Sequence, residues 1–220
     1  MKPSTPPTLQ MDNGKVEIKL TNVGKRFNRE WIFRNFNYSF NNSQKHAITG
    51  PNGSGKSTLL QVIAGATMHN EGIIDYTIDQ KKIEPEQHFK FISIAAPYLE
   101  LIEEMTAKEI LLFQSSFKPL LQLVSIADIL ETVGLQSAAN KQLRYFSSGM
   151  KQRLKLAQAF FSNTPILLLD EPTTNLDADG IELYHSLLNN YTTNRLVIIS
   201  SNVKQEYDFC DEVIDILAYK

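Results

Sequence analysis

The sequence predicts an α/β domain on a mainly parallel β-sheet, with an antiparallel β part at its N-terminal end and a helical stretch inserted over residues 98–162. Three observations lead there. An apolar run at residues 46–49 stops at a glycine-rich loop, residues 50–58, and a stretch with apolar faces follows at residues 59–64. The aliphatic runs Ile166, Leu167, Leu168, Leu169 and Leu196, Val197, Ile198, Ile199 lack polar alternation, which suits strands covered on both faces. After Gly50, strand-like and helix-like stretches alternate, as they do when crossover helices join parallel strands.

Taken in order, residues 1–13 hold Pro3, Pro6 and Pro7 among polar residues and are expected to be a mobile tail, leaving residues 14–220 as one domain. Residues 15–20 alternate polar and apolar, a half-buried strand. Phe27, Trp31, Phe33, Phe36, Tyr38 and Phe40 make residues 27–40 suited to more strands, and Asn41, Asn42 and Ser43 read as a turn. The helix after the glycine-rich loop should end near Gly65. Residues 72–76 and 89–95 read as strands. From 98 to 162 the pattern is helical. Thr106 is a candidate N-cap with Glu109 at the capping-box position, a second helix covers 124–133 and stops at Gly134, and a third covers 148–162 with Leu154, Ala157 and Phe161 on one face. A strand at 166–171, a helix at 178–190, a strand at 196–200, a helix at 203–210 and a strand at 213–217 complete the expected order.

Composition narrows the function classes. A chain of 220 residues with 42% hydrophobic residues can bury a full core. A net charge of −2 gives no electrostatic case for nucleic acid or an anionic membrane as a primary partner. Cys210 is the only cysteine, so no disulfide can form within the chain and a reduced compartment is allowed. There is no run of 18 apolar residues and no signal-peptide pattern over residues 1–20, so a soluble cytoplasmic protein is expected. None of His46, His69, His88 and His185 falls at a motif position, and without a Cys/His cluster no zinc site is expected.

The chemistry concentrates in two places. Gly50, Pro51, Asn52, Gly53, Ser54, Gly55, Lys56, Ser57 and Thr58 form a G-x-x-x-x-G-K-[ST] loop between a strand and a helix. Its glycines let backbone N–H groups turn inward around phosphate oxygens, and the helix N-terminus adds partial positive charge. Lys56 is expected to reach the β- and γ-phosphates, and the Ser57 hydroxyl to ligate Mg²⁺. Asp170 and Glu171 sit where a buried strand stops, the end at which open α/β sheets bind ligands. If that strand lies near the one before Gly50, Asp170 faces Ser57 and would serve Mg²⁺, while Glu171 would orient and deprotonate a water. The competing reading of the pair is two solvated acids.

With two further stretches, these residues resemble the nucleotide-binding subunits of ATP-binding cassette (ABC) transporters, over nearly the whole chain. Residues 146–153, from Phe146 through Ser147, Ser148, Gly149 and Met150, resemble the family's signature motif; residues 167–172 resemble its second nucleotide motif; Thr174, Asn175, Leu176 and Asp177 resemble its D-loop. The resemblance implies a P-loop NTPase core with a helical subdomain at about residues 96–162. It implies ATP and Mg²⁺ as cofactors and a membrane-spanning permease as partner. It also implies a homodimer, or a heterodimer with a second cassette, in which each ATP lies between one copy's phosphate loop and the other copy's Ser147, Ser148 and Gly149. Ser147 with the N–H groups of a helix start can form an anion site, and the competing reading is an ordinary N-cap. Phe27 stands near the family's adenine-stacking aromatic, against a plain core phenylalanine.

The chain also departs from the family pattern. Ala95, Ala96, Pro97 and Tyr98 stand where a glutamine is usual, and Glu100, Glu103 and Glu104 are candidate substitutes. Ser201 and Asn202 stand where a histidine is usual; Asn202 can bond a γ-phosphate through its amide but carries no charge, and its competing role is to cap a helix beginning at Val203. The function implied is an ATPase subunit at the inner face of a membrane that powers a transporter by ATP-driven dimer closure, of export type. The alternatives are a soluble ATPase of the same fold serving a protein-assembly machine and a slow nucleotide switch.

Overall fold

The computed structural model describes residues 14–220; the tail expected at residues 1–13 lies outside them. In chain order the elements are β1 (Val16–Phe27), β2 (Glu30–Asn41), β3 (Lys45–Thr49), α1 (Lys56–Ile63), β4 (Glu71–Ile78), β5 (Lys81–Lys82), the single turn α2 (His88–Phe91), β6 (Ile92–Ala95), α3 (Ala107–Ser115), α4 (Ile126–Thr132), α5 (Ser148–Phe160), β7 (Ile166–Asp170), α6 (Ala178–Tyr191), β8 (Leu196–Ser200) and β9 (Glu212–Asp215). They make two sheets. One is antiparallel, in the order β2-β1-β4-β5; the other is parallel, in the order β6-β7-β8-β3-β9. No helix among the described residues is long and apolar enough to cross a membrane.

Strand periodicity divides the interior into two cores. Ile166 and Leu168 of β7, with Leu196 and Ile198 of β8, face the antiparallel sheet and α1, where they meet Val16, Ile18, Phe33, Phe36, Leu59 and Leu60. Leu167, Leu169, Val197 and Ile199 point the other way, onto α3, α4, α5 and α6. A strand buried on both faces has no use for polar alternation, which is why these runs read as continuous aliphatics. Phe33, Phe36 and Phe40, at 0% exposure, line the inner face of the antiparallel β1–β2 pair, where the aromatic-rich stretch reads as strand. The capping boxes are formed as well. The Thr106 hydroxyl accepts from the Glu109 N–H (3.2 Å) while the Glu109 carboxylate accepts from the Thr106 N–H (2.8 Å), and Ser125 and Asp128 repeat the device at α4.

Three elements differ from expectation. The strand read over 89–95 is shorter, because residues up to Phe91 close the turn α2; its His88 stacks on Tyr76 with ring centroids 3.7 Å apart and has its Nε2 3.0 Å from the Ile83 carbonyl. The helix expected over 203–210 is one 3-10 turn, Lys204–Glu206. Glu206 is drawn inward to buried partners there, and Tyr207, at φ −141° and ψ 10°, leaves the helical region and ends the turn. The strand expected over 213–217 stops at Asp215, and a 3-10 turn, Ile216–Tyr219, follows it.

Candidate functional site

The glycine-rich loop wraps the start of α1. Gly55 is the N-cap at φ 101°, and a Cβ there would come within 2.4 Å of the Ile32 side chain, so both the conformation and the space demand glycine. The first-turn N–H groups of α1 have no intrahelical acceptor and point outward from the helix start. Lys56, 4% exposed, folds back over the loop and donates through Nζ to the Gly50 carbonyl (2.9 Å) and the Pro51 carbonyl (3.2 Å). An ammonium held in that arc by backbone oxygens lies ready for an anion cradled in the loop. Ile32, Asn52, Gly53, Gly55, Lys56, Ser57, Thr58 and Glu171 line a cleft of about 200 Å³ at this point.

The parallel register completes the cleft. β8 lies between β7 and β3, so the carboxylate strand and the loop strand are second neighbours rather than adjacent. Asp170 pairs with Ser200 and Ser200 with Ile48, which brings the three strand ends level. Asp170 is 1% exposed, and neither carboxylate oxygen has a hydrogen-bond partner among the described residues; the buried Ser200 Oγ and Ser54 Oγ are also unpartnered. Burial holds the Asp170 carboxyl above the usual aspartate value, and the Ser57 and Ser200 hydroxyls beside it pull the other way without reaching hydrogen-bond geometry. A buried carboxylate with free oxygens beside a serine hydroxyl is an oxygen donor set suited to a hard divalent cation such as Mg²⁺. Glu171 follows in the left-handed region (φ 42°), with its N–H donating to the Ser200 carbonyl at 2.8 Å. A non-glycine residue held there is strained, and the twist turns its side chain out of the strand's alternation into the cleft.

A second cleft, of about 590 Å³, lies at the start of α5, with Ser147, Ser148, Gly149, Met150, Asn175 and Asp177 among its lining. Ser147 is the N-cap, its hydroxyl accepting from the Met150 N–H at 3.2 Å. A Cβ at Gly149 would stand 3.0 Å from the Asn175 carbonyl, so the close approach of the two segments depends on glycine. Asp177 caps α6 through the Gly180 N–H (2.9 Å) and pairs with Arg153 (3.0 Å); the N–H and then the guanidinium hold its carboxyl below the usual value. This cleft is separate from the phosphate loop within the chain, for none of its lining residues belongs to the loop.

Phe27 is 49% exposed at the end of β1, with Lys25 Nζ 4.6 Å from its ring centroid, so it is no core phenylalanine; it does not line the loop cleft. Asn202 caps nothing, since the turn after it takes Val203 as its N-cap. Its amide Nδ2 instead donates to Asn52 Oδ1 in the phosphate loop, at 3.0 Å. Of the candidates for the missing glutamine, Glu103 is committed to Lys151 (2.6 Å) and Glu104 faces Arg144 (3.8 Å). Tyr98, the last of the four residues that stand where the glutamine is usual, is nearer the chemistry. Burial pushes its hydroxyl up to about 12, the Asp170 carboxylate adds to the rise, and Gln61 of α1 opposes it. Ser200 and Glu206 also escaped the reading; a polar residue at the end of an aliphatic run was the only trace the first of them left in the sequence.

Residues 33–174 match the family described as ABC transporter. The chain is 31% identical over 201 residues to the uncharacterized ABC transporter ATP-binding protein YybJ of Bacillus subtilis (strain 168), covering 90% of this chain and 91% of that protein. It is 27% identical to the lantibiotic transport ATP-binding protein SrtF of Streptococcus pyogenes, covering 90% and 85%. Of several other relatives it spans 65–66% of the length. Among solved structures, it is similar to the dimeric post-hydrolysis ATP-binding cassette MJ0796 bound to ADP and Pi, with a TM-score of 0.75, 26% identity and coverage of 90% of this chain and 94% of that one.

Proposed function

The chain belongs to the ABC transporter family, and from that premise we propose that it is the ATP-binding and ATP-hydrolysing subunit of a membrane transporter, working by ATP-driven dimer closure. One observation carries the hydrolytic part of the reading. The unpartnered Asp170 carboxylate and the strained Glu171 stand together at the cleft that holds Lys56 and Ser57. Backbone N–H groups of the loop and Lys56 bind the phosphates, while Ser57 and Asp170 hold the metal. Mg²⁺, when bound, neutralises charge on the β- and γ-oxygens. Glu171 accepts the proton of the attacking water, and Asn202 donates a neutral hydrogen bond toward the γ-phosphate.

The lone signature cleft argues for a second copy, since Ser147 and the first N–H groups of α5 make an anion site with no phosphate loop of their own beside it. A permease is the further partner we propose. An apolar groove of about 330 Å³, lined by Leu99, Leu101, Ile102, Ile110, Phe113 and Phe117, runs along α3 beside the loop after β6, and Ile102, Phe113 and Phe117 are each more than 45% exposed there. That partner would hold the subunit at the inner face of a membrane. Residues 14–220 serve as one cassette domain and residues 96–162 as its helical part. The export direction rests on relatives such as the Nod factor export ATP-binding protein I of Rhizobium sp. (strain N33), 28% identical over 206 residues. The neutral Asn202 favours slow turnover, which keeps a nucleotide switch as the second reading.

The test is Glu171→Gln. The amide keeps the shape of the side chain but cannot take a proton, so ATP binding should persist while hydrolysis falls to background, and ATP with Mg²⁺ should hold a long-lived dimer on size-exclusion chromatography. Parental turnover in this variant would remove Glu171 from the chemistry, and an inactive variant that stays monomeric with ATP would remove the dimer.

A further inference from the structure

Glu206 is 2% exposed and forms no ion pair among the described residues, yet its carboxylate ties two separate segments of the site together. Oε1 accepts from the Thr173 N–H at 2.8 Å and from the Thr173 hydroxyl, and Oε2 accepts from the Ser201 hydroxyl. Thr173 lies two residues beyond Glu171. Ser201 directly precedes Asn202, and its hydroxyl also takes the Val203 N–H at 2.8 Å. The turn bearing Glu206 is itself pinned from behind, where the buried Tyr184 hydroxyl of α6 donates to the Glu206 carbonyl at 2.8 Å. A carboxylate removed from water needs such donors, and here they come from the two segments that follow β7 and β8.

The strain at Glu171 gives this arrangement a purpose. A glutamate at φ 42° relaxes to ordinary backbone unless its surroundings hold it. Upstream, its N–H is fixed to the Ser200 carbonyl at 2.8 Å; downstream, its carbonyl accepts from the Thr174 N–H (3.1 Å), the Pro172 carbonyl accepts from the buried Gln152 amide (2.8 Å), and the bond that reaches the segment after β8 is that of Thr173 to Glu206. We propose that Glu206 is a positioning residue for ATP hydrolysis, a buried strut that holds the turn carrying Glu171 at a set distance from the loop carrying Asn202. The inference rests on the function proposed above. The base and the γ-phosphate donor then move as one unit, and the Asn202–Asn52 bond extends that unit to the phosphate loop. A displacement of about 1 Å at a reacting group can cost on the order of a hundredfold in rate, so a strut acts on turnover far more than on affinity.

Thr173→Val removes the hydroxyl bond to Oε1 while its N–H bond stays, and Ser201→Ala removes the bond to Oε2; the two side chains share no hydrogen bond, so Glu206 is the side-chain link between them, beside the Glu171–Ser200 backbone bond that neither substitution touches. In the full chain, each substitution should lower kcat by about three- to tenfold, and the pair by less than the product of the two, while the dissociation constant for a non-hydrolysable ATP analogue stays within about twofold. A clasp with only a structural role would lower the melting temperature and leave kcat per folded molecule at the parental value; that result, or effects that simply multiply, overturns the proposal. Amide exchange is read alongside in Glu206→Gln without nucleotide. Faster exchange at Thr173 and Val203 together, with β7 amides unchanged, supports the strut, and parental exchange at either residue overturns it. A parent protein that hydrolyses no ATP would defeat the function proposed above, and the exchange pair would still decide the strut.

Discussion

Single residues in this site trade stability for chemistry. Asp170 places a carboxylate at 1% exposure with both oxygens unpartnered, an arrangement that costs free energy until a cation arrives. Asp170→Asn removes the charge and lets an amide meet the Ser57 and Ser200 hydroxyls, so the nucleotide-free protein should melt about 2–4 °C higher. The same variant should lose the extra stabilisation that Mg²⁺ adds to ATP, and calorimetry with and without the metal checks both parts. Asn202 makes the opposite case. It is exposed and caps no helix, so Asn202→Ala should leave the melting temperature within about 2 °C of the parent. Turnover should fall in that variant and rise by about threefold or more in Asn202→His, since charge-assisted hydrogen bonds are stronger than neutral ones and about 1.4 kcal/mol is tenfold in rate. A flat rate across Asn, His and Ala would take Asn202 out of the site. The phosphate loop, Asp170 and Glu171 were legible because their chemistry is written in short spacings. Ser200 and Glu206 were not: Ser200 matters through its register opposite Asp170 on the neighbouring strand, and Glu206 through Thr173, 33 residues away in the chain.

Elements were legible where local chemistry decides them. Thr106 with Glu109 announces α3, and the aliphatic runs announce β7 and β8, because a capping box and a doubly covered strand need nothing distant to be recognised. The stretch 203–210 misled because tertiary bonds override helix propensity there, with Glu206 and Ser201 spending their side chains on the site instead of on a helix. The caps themselves are testable. Thr106→Ala and Ser125→Ala should each lower the melting temperature by about 2–4 °C near neutral pH. The Thr106 and Ser125 N–H and hydroxyl groups hold the Glu109 and Asp128 carboxyls below their usual values. A depressed carboxyl adds stability that is complete above its unfolded value and fades as pH falls through the folded one. The penalty of either substitution should therefore shrink below about pH 4, and melting curves of parent and variant taken down a pH series should converge.

At the scale of the whole molecule, the chain carries two clefts that do not meet. The phosphate loop and its carboxylates open at the ends of β3, β7 and β8, while Ser147, Ser148 and Gly149 open at the start of α5, in a different cleft. Two copies related by a twofold axis would bring each loop against the other copy's α5 start, so that both nucleotide sites form at one interface. This arrangement makes a prediction that no intrachain site can satisfy. Lys56→Ala destroys the loop's cation but leaves the α5 start intact; Ser147→Arg crowds the α5 start but leaves the loop intact. Each variant alone should hydrolyse almost nothing. Mixed in equal amounts, about half of the dimers should contain one of each, and each of those has one sound loop facing one sound α5 start, so roughly a quarter of the parental ATPase rate should return. If both halves of a site came from the same copy, every protomer in the mixture would carry a defect in its own site and the rate would stay at background. The measurement is steady-state phosphate release against mixing ratio. A maximum near equal amounts supports the twofold pair, and a flat line at background rules it out.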